Sequence, residues 1–223
     1  MERTPLSQEG LKLIACITML IDHVGAVFFP QNLWLRVIGR LAFPIYCFLL
    51  AEGSRYTKNP AMYALRLFIG LLLAEIPFDL ALYGQISFAH QSVMFTLLLA
   101  FFMAQAMKKL PLWGKLLVVI PFYFAAELLH TDYGGLGIIT AAVFIIGRDL
   151  PESLLFQACG LLAVNLAYFT TSIIQPCAVA AMIPIGLYSG KKATRSKLLQ
   201  WAFYLFYPVH LLVLWILSTV LSF

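Results

Sequence analysis

Ten ionisable side chains of this 223-residue sequence sit inside apolar runs: Asp22, His23, Arg36, Arg40, Glu52, Arg66, Glu75, Asp79, Glu127 and His210. Charged groups at membrane depth are costly, and as a rule they are paired and functional. A histidine beside a carboxylate, with an arginine in reach, is equipped for acyl transfer. The imidazole can take a proton from a nucleophile or carry the acyl group, and the guanidinium can hold the carboxylate or an oxyanion. A metal site would need a third ligand at the same depth. Glu75 or Asp79 could supply one, but the spacing matches no recognised metal motif, so no metal is expected.

Depth decides which of these groups can meet. Asp22 and His23 lie six or seven residues from the end of the first apolar run, and Arg40 lies seven from the start of the second. Both distances are roughly 10 Å at 1.5 Å per residue. The connection is too short for anything but antiparallel neighbours, which makes Arg40 the expected ion-pair partner of Asp22. Arg36, one turn away, shares that face. His23 lies about 18 Å along its helix and His210 about 20 Å along the last one, depths that suggest a common polar cavity. Lys12 and His23 are about 1100° apart, within about 20° of one face, and separated axially by roughly 16 Å. A cation at one mouth and a base three turns deeper suit a long ligand, anionic at one end and reactive at the other. Coenzyme A thioesters have that shape, and Arg55 and Lys58 could extend the phosphate site.

The elements that position these groups follow from composition. The chain is 62% hydrophobic and 11% charged, against about 25% charged in a soluble domain. A soluble fold of this length could not bury so much apolar surface. Disorder, a disulfide-stapled secreted domain and a nucleic-acid-binding domain are excluded. Runs near the 20 residues of a spanning helix fall at about 11–29, 33–53, 61–83, 92–107, 113–129, 134–147, 153–169, 173–189 and 198–221. The sixth is short enough to be re-entrant. The expectation is a single all-α transmembrane domain over 1–223, with about nine helices.

Twelve of the 15 basic residues fall at the N-terminus or in alternate loops on its side, and the opposite loops carry none. This distribution puts the N-terminus in the cytoplasm and the C-terminus outside. The net charge of +5 thus sets topology and needs no nucleic-acid partner. The first run, containing Asp22 and His23 with no small-residue cleavage site after it, does not read as a signal peptide. Cys16, Cys47, Cys159 and Cys177 lie inside runs without C-x-x-C pairing and read as packing residues.

Four segments together resemble the TraX family. They are Leu11–Gly25, Leu35–Gly53, Tyr63–Leu67 with Glu75–Leu80, and Phe203–Leu211. The middle, about 110–195, resembles it only in hydropathy. The family takes its name from a conjugal-transfer protein that acetylates the amino terminus of pilin, and it looks related to the acyltransferase 3 proteins. In those proteins a basic residue, ten residues and then a histidine mark the first helix, as Lys12 and His23 do here.

The resemblance implies that His23 is catalytic and that acyl-CoA enters from the cytoplasm. The expected reaction moves an acetyl group from acetyl-CoA to a pilin amine, a glycan or a lipid-linked sugar beyond the bacterial inner membrane. Asp22 would fix the imidazole tautomer, with Arg40 and His210 completing the catalytic group. Lys12, Arg55, Lys58 and Arg36 would bind the cofactor. Glu75 and Asp79 would meet the acceptor, and Glu52 would pair with Arg66. The rival readings are a proton-coupled transporter or flippase, and a non-enzymatic assembly factor.

Overall fold

The computed structural model describes residues 6–169, 172–190 and 196–221. Among them the fold is all-α. The helices are α1 (Gln8–Phe28), α2 (Leu33–Gly39), α3 (Ala42–Tyr56), α4 (Pro60–Tyr83), α5 (Val93–Ala106) and α6 (Leu112–Leu128), then α7 (Gly134–Gly147), α8 (Ser153–Tyr168), α9 (Met182–Gly186) and α10 (Lys197–Val220). A 3-10 helix, Gln175–Ala181, leads directly into α9. Among the described residues three stretches are long and apolar enough to cross a membrane: Gln8–Phe28, Leu33–Tyr56 and Leu198–Val220. Lys191, Lys192 and Arg195, which the charge distribution uses for topology, lie outside the described residues, as does Arg3.

Two expected spans differ from simple helices. The run 33–53 breaks at Arg40 and Leu41, between α2 and α3. Pro44 has no N–H to offer the Arg40 carbonyl one turn back, and its ring crowds that carbonyl, so one bond of the helical ladder is missing where the break falls. The run 173–189 begins as 3-10 helix and then turns α-helical. Gln175 touches Arg40 at one end of this segment, and the Leu6 amide meets the Leu187 carbonyl at the other. The short sixth run is α7, a helix of 14 residues packed against α3, α5, α6 and α8.

The core lies around α3, whose Phe43, Ile45, Cys47 and Leu50 are buried, and α5 and α7 pack against it. Large apolar side chains cover the exterior, among them Leu72 and Ile76 of α4, Leu117 and Phe124 of α6, and Leu155 and Leu166 of α8. An apolar exterior around a filled core is the inverse of a soluble surface. Cys16 and Cys47 are buried, whereas Cys159 and Cys177 are exposed.

Polar side chains gather at two ends of the bundle. Lys12, Glu52, Arg148 and Asp149 mark one, the lysine end. Asp22, His23, Arg40 and Tyr133 mark the other, the histidine end.

Candidate active site

At the histidine end, Asp22 sits between two guanidiniums. Arg36 Nη1 donates to Asp22 Oδ2 at 2.8 Å and to the Asp22 carbonyl at 3.1 Å. Arg40 Nη2 donates to Oδ1 at 2.9 Å and Oδ2 at 3.2 Å, and its Nη1 donates to Gln175 Oε1 at 3.2 Å. These charge-assisted bonds offset part of the cost of withdrawing three charges from water. The approach requires Gly39, because a Cβ there would stand 2.1 Å from Asp22 Oδ1 and 2.2 Å from its Cβ. Arg36 therefore belongs to the aspartate cluster and lines the small cavity, whereas Lys12 lines the large one.

His23 does not use Asp22. Adjacent residues on a helix point about 100° apart, and Asp22 is already engaged. His23 Nδ1 instead lies 2.7 Å from His210 Nε2, the two rings stacked at 19°. His210 Nδ1 lies 2.7 Å from the Phe206 carbonyl. A carbonyl can only accept, so His210 Nδ1 carries the hydrogen, and in the neutral ring Nε2 is the acceptor. It follows that His23 Nδ1 donates, and His23 Nε2 keeps its lone pair. The tautomer of His23 is set by a second histidine, in place of the expected carboxylate.

Two cavities approach this pair. One of about 150 Å³ is lined by His23, Asp22, Arg36, Arg40, Asp132 and Tyr133, together with apolar neighbours. The second, about 1020 Å³, begins near Gln8, Lys12, Tyr56 and Gln200 at the lysine end. Met19, Tyr46, Val93 and Tyr207 line both. Lys12, Met19 and His23 share one face of α1, seven and then four residues apart. The expected Lys12-to-His23 face thus runs along the large cavity, through the shared wall, to the small one. Lys12 Nζ also lies over the Phe203 ring, 5.3 Å from its centroid.

Other candidates sit elsewhere. Arg55 pairs with Asp149 at 3.2 Å on the exposed surface, and Lys58 is exposed in the α3–α4 connection; neither lines the large cavity. Glu75 accepts from the Ser92 amide at 3.1 Å and the Ser92 hydroxyl at 2.7 Å. Asp79 Oδ2 accepts from the Ser87 amide at 2.8 Å. Both carboxylates tie down the 84–92 connection, and neither lines the small cavity, so the structure does not place them toward an acceptor. Glu52 pairs with Arg148 at 3.3 Å. The expected Glu52–Arg66 pair does not form, and Arg66 lies over the Tyr63 and Tyr204 rings.

Sequence reasoning missed Gln175, Asp132, Tyr46 and Tyr207. Gln175 comes from a segment that reads only as hydropathy, and Asp132 from a loop notable only for its lack of basic residues. A carboxylate flanked by Tyr133 and the Gly134-Gly135 turn was the available signal. Tyr133 adopts a left-handed φ of 65°, a strained conformation for a bulky residue.

The profile of the family described as TraX protein matches residues 7–218. The chain belongs to the TraX family. It is similar to the probable fimbrial assembly protein FimC, serogroup H1, of Dichelobacter nodosus, with 33% identity over 234 aligned positions and 92% of each chain covered. It is also similar to protein TraX of Escherichia coli, at 24% identity over 226 positions, covering 96% of this chain and 88% of that one. No solved structure matches this TraX-family chain.

Proposed function

We propose that this protein is a multi-pass acyltransferase of the bacterial inner membrane, related to the acyltransferase 3 proteins. It moves an acetyl group from cytoplasmic acetyl-CoA to an amine or hydroxyl acceptor on the opposite side, a pilin peptide or a glycan. The chain crosses the membrane nine times, with the N-terminus and the lysine end in the cytoplasm. The observation that carries this reading is the pair of cavities meeting at Met19, Tyr46, Val93 and Tyr207, with His23 on the far side of that wall.

The donor's thin arm occupies the large cavity, its phosphates near Lys12 and its thioester at the shared wall. His23 Nε2 takes the proton as the acceptor's nucleophile bonds to the thioester carbon, and the C–S bond breaks. His210 Nε2, accepting from His23 Nδ1, stabilises the resulting imidazolium. That proton leaves with the CoA thiolate, so histidine returns to its starting state. Arg40, held by Asp22 and Gln175, supplies positive charge for the oxyanion. No metal is needed in this scheme.

The reading is tested by incubating purified protein with acetyl-labelled acetyl-CoA and following the label. Label on an amine or sugar acceptor is the expected result. Proton-coupled uptake by proteoliposomes lacking any acyl donor, with no label transferred, would favour a transporter instead.

A further inference from the structure

One charged group at the histidine end takes no part in the acyl-transfer steps. Asp132 lines the small cavity together with Arg36 and Arg40, yet both guanidiniums are held on Asp22. Among the described residues no cation pairs with Asp132. It is not the cap of α7 either: Glu127 Oε1 takes that role, accepting from the Gly135 amide at 2.8 Å. Among the described residues the one hydrogen bond to the Asp132 carboxylate is local, from the Tyr133 amide to Oδ1 at 3.1 Å.

The backbone around it is clamped from several elements. The Asp132 amide donates to the Gln91 carbonyl at 2.8 Å, and Thr96 Oγ1 of α5 donates to the Asp132 carbonyl. The Tyr133 ring stacks on Phe43 at 3.9 Å, and the Tyr168 hydroxyl donates to the Tyr133 carbonyl at 2.5 Å. A loop so fastened gives the carboxylate a fixed position across a space of about 150 Å³. Burial raises its pKa to about 6, with the Arg40 guanidinium opposing that rise. The carboxylate is therefore mostly ionised at neutral pH.

We propose that the small cavity is the acceptor subsite and that Asp132 is its recognition residue, gripping a head group that carries at least two hydrogen-bond donors. The count comes from the cavity walls. His23 Nε2 needs one X–H from the nucleophile, and Asp132 accepts a second. A primary amine offers both on one atom, and a vicinal diol offers them on neighbouring oxygens; a lone hydroxyl offers one. During transfer only the hydrogen facing His23 leaves, so Asp132 keeps its protonation state and acts by orientation. This assignment rests on the acyl-transfer reading for its chemistry, but the binding step can be tested without it.

The test uses the full-length protein in nanodiscs, as wild type, Asp132→Asn and Asp132→Glu. Equilibrium binding is measured for four probes: trialanine amide, its Nα-acetylated form, methyl α-glucopyranoside and acetyl-CoA. Loss of a charge-assisted hydrogen bond predicts that Asp132→Asn weakens one two-donor probe by about tenfold to a hundredfold. Acetyl-CoA affinity should be unchanged, and Asp132→Glu should recover part of the loss. The affected probe distinguishes an amine from a sugar acceptor. Equal binding of every probe by wild type and Asp132→Asn, including no binding by either, overturns the assignment. Failure of the wild type to bind acetyl-CoA, with trialanine amide or the glucoside still bound through Asp132, removes the donor reading and leaves the subsite standing.

Discussion

At each end of the molecule an aspartate is bracketed by two cations. At the histidine end Asp22 lies between Arg36 and Arg40, with only 13% of the Asp22 and Arg40 side chains exposed. At the lysine end Asp149 lies between Arg55 and Lys115, at 3.2 and 2.9 Å, and the Asp149 side chain is 47% exposed. Distances and charges are nearly alike; the solvation of the two carboxylates is not. In water such pairs contribute little, because screening and side-chain entropy offset the attraction. Withdrawn from water, each charge depends on its partners, so removing one leaves the others uncompensated. The buried cluster also borders a cavity and a histidine pair, whereas the exposed one ties the α7–α8 connection to α3 and α6. The same motif is thus a fastening at one end and part of a site at the other.

The largest expected effect comes from Asp22→Asn, which leaves two guanidiniums without their carboxylate. Breaking a buried ionic cluster costs about 3–5 kcal/mol, and the melting temperature in detergent should fall accordingly. Gly39→Ala should follow at about 1–3 kcal/mol, the range for overpacking, since the new Cβ collides with Asp22 Oδ1 and Cβ. If Gly39→Ala melts like wild type, the close approach of α2 to α1 is wrong. The smallest loss belongs to Asp149→Asn, below about 1 kcal/mol, and added salt should shrink it further. A loss from Asp149→Asn as large as that from Asp22→Asn would erase the contrast between the ends.

Acid separates two loop aspartates by sign. The hydrogen bond from Lys115 holds the Asp149 carboxyl below its ordinary value, so its small stabilising effect persists at neutral pH and is lost as pH falls below about 4. Burial instead raises Asp132 from 3.8 to about 6. Ionising it opposes folding, so stability should decline as pH rises through that interval and level off above it. In melting temperatures measured against pH, Asp132→Asn should remove the decline between 3.8 and about 6. An unchanged slope in that variant would place Asp132 in water.

How much of the fold and the site is legible in the sequence depends on what depth along a helix can decide. The Asp22–Arg40 contact and the shared level of His23 and His210 follow from rise per residue and one short connection. Depth fails when several helices reach the same level. Glu52 and Arg66 end at similar heights, but Arg148, the residue that follows α7, takes Glu52 because α3 packs against α7. Asp132 and Gln175 lie in non-α segments, where periodicity says nothing about direction, and only the folded chain brings them to Arg40. The break before α3 falls one turn ahead of Pro44, but a proline alone does not announce it, because Pro77, Pro121 and Pro208 sit inside α4, α6 and α10. The partner of His23 is not readable from its neighbour in the chain: Asp22 adjoins it in sequence, but successive helical residues face different directions.

The most direct test of the account is transfer of a labelled acetyl group from acetyl-CoA by purified wild type and His23→Ala, with both folded to the same melting temperature. Loss of a general base predicts a fall in rate of about 10²–10⁴-fold. Transfer by His23→Ala at the wild-type rate would contradict the assignment of the chemistry to this histidine.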